Sequence, residues 1–173
     1  LLMLENALPL VNLYDMPVKD FRYQVDSLYV VSKMFFDKMD EKYNFPSAFK
    51  TTELAVLKYD RATKLLEYIA NSGFKDDNGA FLKFMDELSV NEAQYLSVYE
   101  YRSFLNAFVD QKSAEKILGK NLAPDEITLI KMQTINLEIS HQKIKDYLLY
   151  SILKQYVKYY GYKKADLLFK TFE

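Results

Sequence analysis

Few side chains in this sequence could do chemistry, and the first is its only histidine. Glu138 and His141 stand at the i, i+3 spacing used by carboxylate-bridged di-metal bundles, but such a site takes that motif twice with further glutamates, and one histidine cannot supply it. A Ser–His–acid triad would need the same His141, and no Gly-x-Ser-x-Gly elbow accompanies it. His141 therefore reads as a surface or junction residue. No cysteine is present, so neither a thiolate nucleophile nor a disulfide is available. Asp76-Asp77-Asn78-Gly79 invites a calcium reading. Placing Gly79 at loop position 6 of an EF-hand puts Phe74 and Met85 where oxygen donors are required, so the segment reads as a turn. Asp37, Asp40 and Glu41 form an acidic patch that reads as the solvated edge of a helix. With 24 acidic residues, carboxylate pairs on helix faces are expected by chance and define no glycosidase geometry. The expectation is no catalytic residue, no cofactor-binding residue and no metal site.

The elements that carry these residues are helices. Only four Gly and four Pro punctuate 173 residues, which favours a small number of long helices over many short strands. Half the residues are hydrophobic and 27% are charged, a globular balance, and the length suffices to bury a core. Fifteen Tyr and twelve Phe with no Trp make an uncommon aromatic load. Most of these rings are expected to fill space between helices, with some tyrosines lining a groove or a partner surface. A net charge of −1 and a pI near 6.0 give no field for nucleic acid, and no apolar run approaches the ~20 residues of a membrane span.

Residues 1–16 read as a connector from a preceding element and 17–173 as a helical domain cut off at its C-terminal end. Asp15 ahead of Pro17 predicts the first helix start, with an apolar face from Phe21 through Val25, Leu28, Phe35, Phe36 and Met39 to Tyr43. Val30, Val31 and Met34 cover other sides, so this helix is expected to be flanked on more than one side. Asn44-Phe45-Pro46 ends it, Ser47 is placed to cap a second helix, and Ser72-Gly73 ends that one. The second helix, apolar on two faces, also reads as interior. Phe81 to Leu88 predict a short amphipathic helix. In the stretch Tyr95–Leu118, Ser97 is placed as an N-cap, and Val98, Tyr101, Phe104, Leu105, Phe108 and Val109 share an arc of roughly 140°. Ile117 and Leu118 leave that arc, which predicts that Ser113 restarts a separate short helix. Pro124 with Asp125 and Glu126 opens the next helix, Ser140 marks a jog, Gly161 stops the following helix, and Lys163 begins a last one. The predicted fold is all-α, an irregular bundle of antiparallel helical hairpins with about six to eight helices.

Phe49, Glu53 and Tyr59 on the second helix, the run Tyr101-Arg102-Ser103-Phe104-Leu105-Asn106-Ala107-Phe108, and the late Asp146-Tyr147-Leu148-Leu149 segment together resemble the helical region preceding the thioredoxin-like domain in Bacteroidetes proteins of the TlpA and AhpC/TSA type. The similarity covers roughly residues 17 to 173 and rests on packing aromatics rather than reactive groups. In that family a Cys-x-x-Cys on the thioredoxin fold does the redox work, and this chain has no cysteine. What the resemblance implies is an exported protein, periplasmic or lipid-anchored, of which these residues form a non-catalytic accessory domain. Phe49, Tyr59, Tyr101, Phe104 and Leu105 are then core positions, and Glu53 with Arg102 an ion pair. Its partner is a thioredoxin-like domain in the same polypeptide, another protein or a second copy. The alternative is a free-standing helical binding lipoprotein that captures glycan or peptide on a tyrosine-rich surface.

Overall fold

The computed structural model describes residues 13–166, 168 and 169, and these are helical with no strand among them. Among the described residues the helices traced end to end are α1 (Val18–Tyr43), α2 (Ser47–Ser72), α3 (Tyr99–Ile117), α4 (Pro124–Glu138) and α5 (Gln142–Tyr160), with short 3₁₀ segments between them and further helical residues from Asp166. Local signals set most of their ends. Asn44 takes the left-handed conformation at φ 48° while its N–H bonds the Asp40 carbonyl, and Gly73 ends α2 at φ 71°. Pro124 opens α4, where the Glu126 carboxylate accepts the N–H of Ala123 at 2.7 Å. Pro17 and Pro46 stand one residue before their helices, and Ser47 is the first helical residue rather than a cap. The segment after Phe81 is a 3₁₀ helix, Leu82–Glu87, in place of the expected α-helical turns. The Asp76 carboxylate holds the turn before it by accepting the N–H groups of Phe81 and Leu82.

The described residues form two compact units. One runs up to Glu87 and takes in Val98–Phe104; the other comprises Leu88–Ser97 and the chain from Leu105 onward. The first unit is built on the α1–α2 hairpin. Lys50 pairs with Asp40, Arg61 with Asp26, and the Tyr68 ring stacks on Phe21 at 4.2 Å, so contacts step along the two helices in opposite directions. Tyr68, Phe74, Phe81 and Phe84 extend this into a chain of rings, and Tyr59 packs on Tyr101 and Phe104 at 4.7 and 5.0 Å. The hydroxyls are satisfied at the margins: Tyr68 donates to the Met16 carbonyl and Tyr14 to Glu67, both at 2.7 Å. Burial and the acceptor Glu67 both hold the Tyr14 hydroxyl well above the usual phenol range.

The expectation that α1 is flanked on several sides is not met. Phe21, Val25 and Ser32 are its buried residues, whereas Val30, Val31, Met34 and Phe35 are between 51% and 66% exposed. The N-terminal half of α2 is likewise open, with Phe49 and Leu54 exposed and burial concentrated from Ala55 to Tyr68.

In the second unit α4 and α5 form a hairpin. Asn91 closes its turn, its side-chain oxygen accepting the N–H groups of both Ser140 and His141 at 2.9 Å. Met132, Ile135 and Ile139 meet Ile144, Leu148 and Leu153 in the core, with Phe108 and Val109 of α3 also buried. No helix restarts at Ser113: α3 runs unbroken to Ile117. Ser113 is fully buried and donates to the Thr134 hydroxyl at 3.1 Å, which in turn donates to the Ile130 carbonyl. Its polarity is spent on a neighbouring helix rather than on a cap.

Candidate functional site: a tyrosine-walled cleft

The α4–α5 hairpin is closed at Asn91 and opens toward Pro124 and Tyr160. At that open end lies a cleft of about 260 Å³. Its floor on α4 is the i, i+3, i+4, i+7 series Pro124, Ile127, Thr128 and Lys131, one helix face. On α5, Ile152, Gln155, Tyr156, Tyr159 and Tyr160 form the opposing face. The Tyr156 and Tyr160 ring centroids are 4.9 Å apart, and Tyr156 is nearly buried while Tyr159 is 67% exposed. The cleft therefore has a buried aromatic back wall and an exposed aromatic rim.

Its electrostatics are balanced. Lys131 reaches Asp110 on α3 at 2.6 Å, which orients the ammonium and sets an opposite charge beside it. Burial raises the Tyr156 hydroxyl above the usual phenol value, and the carboxylate of Asp125 and the neighbouring Tyr160 push it the same way. It stays protonated, directed at the Lys164 carbonyl through a long 3.4 Å contact. Thr128 donates to the Pro124 carbonyl, which keeps its oxygen able to accept, and Gln155 adds an amide to the lining. Such a site can stack a flat or puckered ring and hydrogen-bond its edges.

The residues singled out from sequence lie elsewhere. His141 is exposed at the start of α5, its carbonyl accepting from Ile144 and Lys145. Among the described residues no three His, Asp or Glu side chains come together to hold a metal. Tyr59, Tyr101, Phe104 and Leu105 are fully buried, whereas Phe49 is 44% exposed, its ring near those of Phe36 and Phe45 by the hairpin tip. The Arg102 guanidinium, expected to pair with Glu53, lies 5.9 Å over the Tyr99 ring. A polar cluster among the described residues sets Asp26 between Arg22 and Arg61. Burial alone would raise its carboxyl, but hydrogen bonds from Arg61 at 2.7 Å and Arg22 at 2.9 Å outweigh that and hold it below the ordinary value. Arg22 also donates to the Phe81 carbonyl and covers the Phe81 ring, so this cluster is a brace between α1, α2 and the following loop. Sequence reading singled out neither the Tyr156, Tyr159 and Tyr160 group on α5 nor the face it meets on α4.

The described residues are all-helical, and three tyrosines of α5 wall the cleft that α5 forms with α4. Compared with known proteins, the chain matches no family model, and no curated protein or solved structure is significantly similar to it.

Proposed function

We propose that this chain is a non-catalytic binding domain and that the α4–α5 cleft holds a saccharide unit or a ring-bearing segment of a peptide. The observation that carries this is the convergence of Tyr156, Tyr159 and Tyr160 on one concavity together with Lys131, Gln155 and Thr128. An apolar-walled pocket with a few convergent polar groups is the usual form of a small-ligand site, and its size here suits a single ring rather than an extended drug-sized molecule. Tyrosine supplies contact area with little conformational entropy to lose, while the hydroxyl tips accept and donate at the ring edges.

The test is titration with neutral oligosaccharides and with short peptides containing proline or aromatic residues, read by intrinsic tyrosine fluorescence and by NMR shifts of α4 and α5 amides. Tyr159→Ala removes an exposed ring and leaves the fold intact, so it is expected to weaken binding at least tenfold at unchanged circular dichroism. Binding that ignores Tyr159→Ala, or no response from either ligand class, rejects the proposal.

A second reading places the domain beside a thioredoxin-like module of an exported thiol-disulfide oxidoreductase, in the periplasm or lipid-anchored at the envelope. What supports it is the sequence resemblance, together with the complete burial of Tyr59, Tyr101, Phe104 and Leu105, four of the positions that carry it. In that context the domain positions or dimerises the redox module. A gene without a downstream Cys-x-x-Cys, or a protein fractionating with the cytoplasm, removes this reading and leaves the cleft proposal standing.

A further inference from the structure

The turn Asp76-Asp77-Asn78-Gly79 lacks calcium-loop spacing, yet it contains the sequence's single Asn-Gly pair. In such a pair the asparagine side chain is short enough to meet the next backbone nitrogen, and glycine puts no side chain in the way. Asn78 and Gly79 are both exposed, and a Cβ on Gly79 would have no neighbour within 4 Å, so the space around its nitrogen is open to water. The Ala80 N–H donates to Asn78 Oδ1 at 3.0 Å. That bond curls the side chain back along its own following peptide and sets a donor on the oxygen where negative charge develops when the side-chain carbonyl is attacked. The one restraint is the Gly79 N–H, which donates to the Asp76 carbonyl at 3.1 Å. This is the long end of the ordinary range, in an exposed turn where opening is a local event.

The other described asparagines lack this combination. After Asn71, Asn106 and Asn136 the next nitrogen lies inside α2, α3 or α4, where its N–H is held in the helix ladder. Asn44 precedes Phe45, whose N–H donates to Asp40 at 2.9 Å, and the Asn91 side chain is engaged by the N–H groups of Ser140 and His141. Asn121 is exposed, but Leu122 follows it and flanks the nitrogen with a side chain.

We infer that Asn78 is a modification site that deamidates spontaneously, through a cyclic imide, to aspartate and isoaspartate. Hydroxide takes the proton of the Gly79 nitrogen, which bonds to Asn78 Cγ. The Cγ–Nδ2 bond then breaks, and Nδ2 takes a proton from water and leaves as ammonia, returning the hydroxide. Water opens the imide in either of two ways. Breaking the new bond from Gly79 N to Cγ gives aspartate. Breaking the original bond from Gly79 N to the Asn78 backbone carbonyl carbon gives isoaspartate, with the main chain now running through Cβ and Cγ. In sum one water is consumed and one ammonia released, nothing is oxidised or reduced, and a carboxylate replaces an amide.

The two products affect the first unit differently. Aspartate keeps an oxygen to which the Ala80 N–H can donate. Isoaspartate adds a methylene to the main chain between Asp76 and Phe81, and both of these are held. The Asp76 carboxylate accepts the N–H groups of Phe81 and Leu82. The Phe81 ring packs near Tyr68 and Phe74, and its carbonyl accepts from Arg22. A longer chain between these anchors cannot close the same turn, so the bonds of Gly79 and Ala80 are lost and the seat of Phe81 loosens.

Folded protein stored at neutral pH for some weeks and then digested for mass mapping tests this. The peptide containing Asn78 is expected to gain the mass of an amide-to-acid conversion at least tenfold faster than the peptides containing Asn44 or Asn121. Isoaspartate should be its larger product, read by labelling with an isoaspartyl methyltransferase. Asn78→Gln keeps the amide but would have to close a larger ring, so it should abolish the label. The isoaspartyl fraction, separated by ion exchange, should melt below fresh protein, whereas Asn78→Asp should melt with it. Deamidation no faster at Asn78 than at Asn121 overturns the inference. So does a label that survives Asn78→Gln, or an isoaspartyl fraction that melts with fresh protein.

Discussion

The hydroxyl pair Ser113–Thr134 offers the sharpest test of how the second unit is built. Ser113 has no exposed surface and Thr134 only 2%, and the chain of donors runs from Ser113 to Thr134 to the Ile130 carbonyl. Thr134→Val removes the acceptor and leaves the Ser113 hydroxyl buried without its partner, which costs about 1–3 kcal/mol. Ser113→Ala removes the donor, but Thr134 keeps its bond to Ile130, so the loss is about 1 kcal/mol. Replacing both by apolar groups of similar shape leaves no orphan, and the double variant should lose no more than about 1 kcal/mol relative to the parent. The double-mutant cycle therefore has a coupling energy of about 1–2 kcal/mol, with the singles summing to more than the double. Urea unfolding followed by far-ultraviolet circular dichroism measures it; with a slope of about 2 kcal/mol/M, Thr134→Val moves the midpoint down by roughly 1 M. Hydrogen exchange of α4 amides gives a local readout in the same proteins. Strict additivity, with coupling below about 0.3 kcal/mol, refutes the buried pair. A drop in helix content confined to Ser113→Ala would restore Ser113 as a helix cap.

Two further predictions concern braces. Asp26 is bound by Arg22 and Arg61, and its folded pKa lies below its unfolded value, so its contribution is fully present above the ordinary carboxylate pKa near ~3.9 and is lost as pH falls through the lower folded value. Because its side chain is 38% exposed, solvent screening keeps each pair below about 1 kcal/mol. Asp26→Asn should therefore cost little more than that at pH 7, and it should flatten the acid limb of the stability–pH curve, as measured by thermal melts from pH 7 to pH 3. Asn91→Ala strips the shared acceptor from the Ser140 and His141 N–H groups. It should cost about 1–2 kcal/mol and speed amide exchange at those two residues, while an unchanged exchange rate there excludes the capping role.

What the sequence determined alone was local. Pro124 with its acids, Asn44, Gly73 and Gly161 mark helix ends because caps, left-handed turns and missing donors act within a few residues of themselves. The apolar periods of Phe104–Leu105–Phe108 and Leu148–Leu149–Leu153 likewise announce buried faces, and the all-helical class follows from them. Tertiary structure decided the rest. Periodicity shows that α1 is apolar on two sides but not which side finds a neighbour, so Phe21 is buried and Met34 is not. Ser113 has the same chemistry whether it caps a helix or bonds Thr134, and only the approach of α4 chooses between them. Asn91 reaches a turn about fifty residues away, and the face of Ile127 and Lys131 meets the α5 tyrosines only because the two helices fold back on each other. Burial and site assembly depend on which distant surfaces come together, a property of the packed chain that no local window contains.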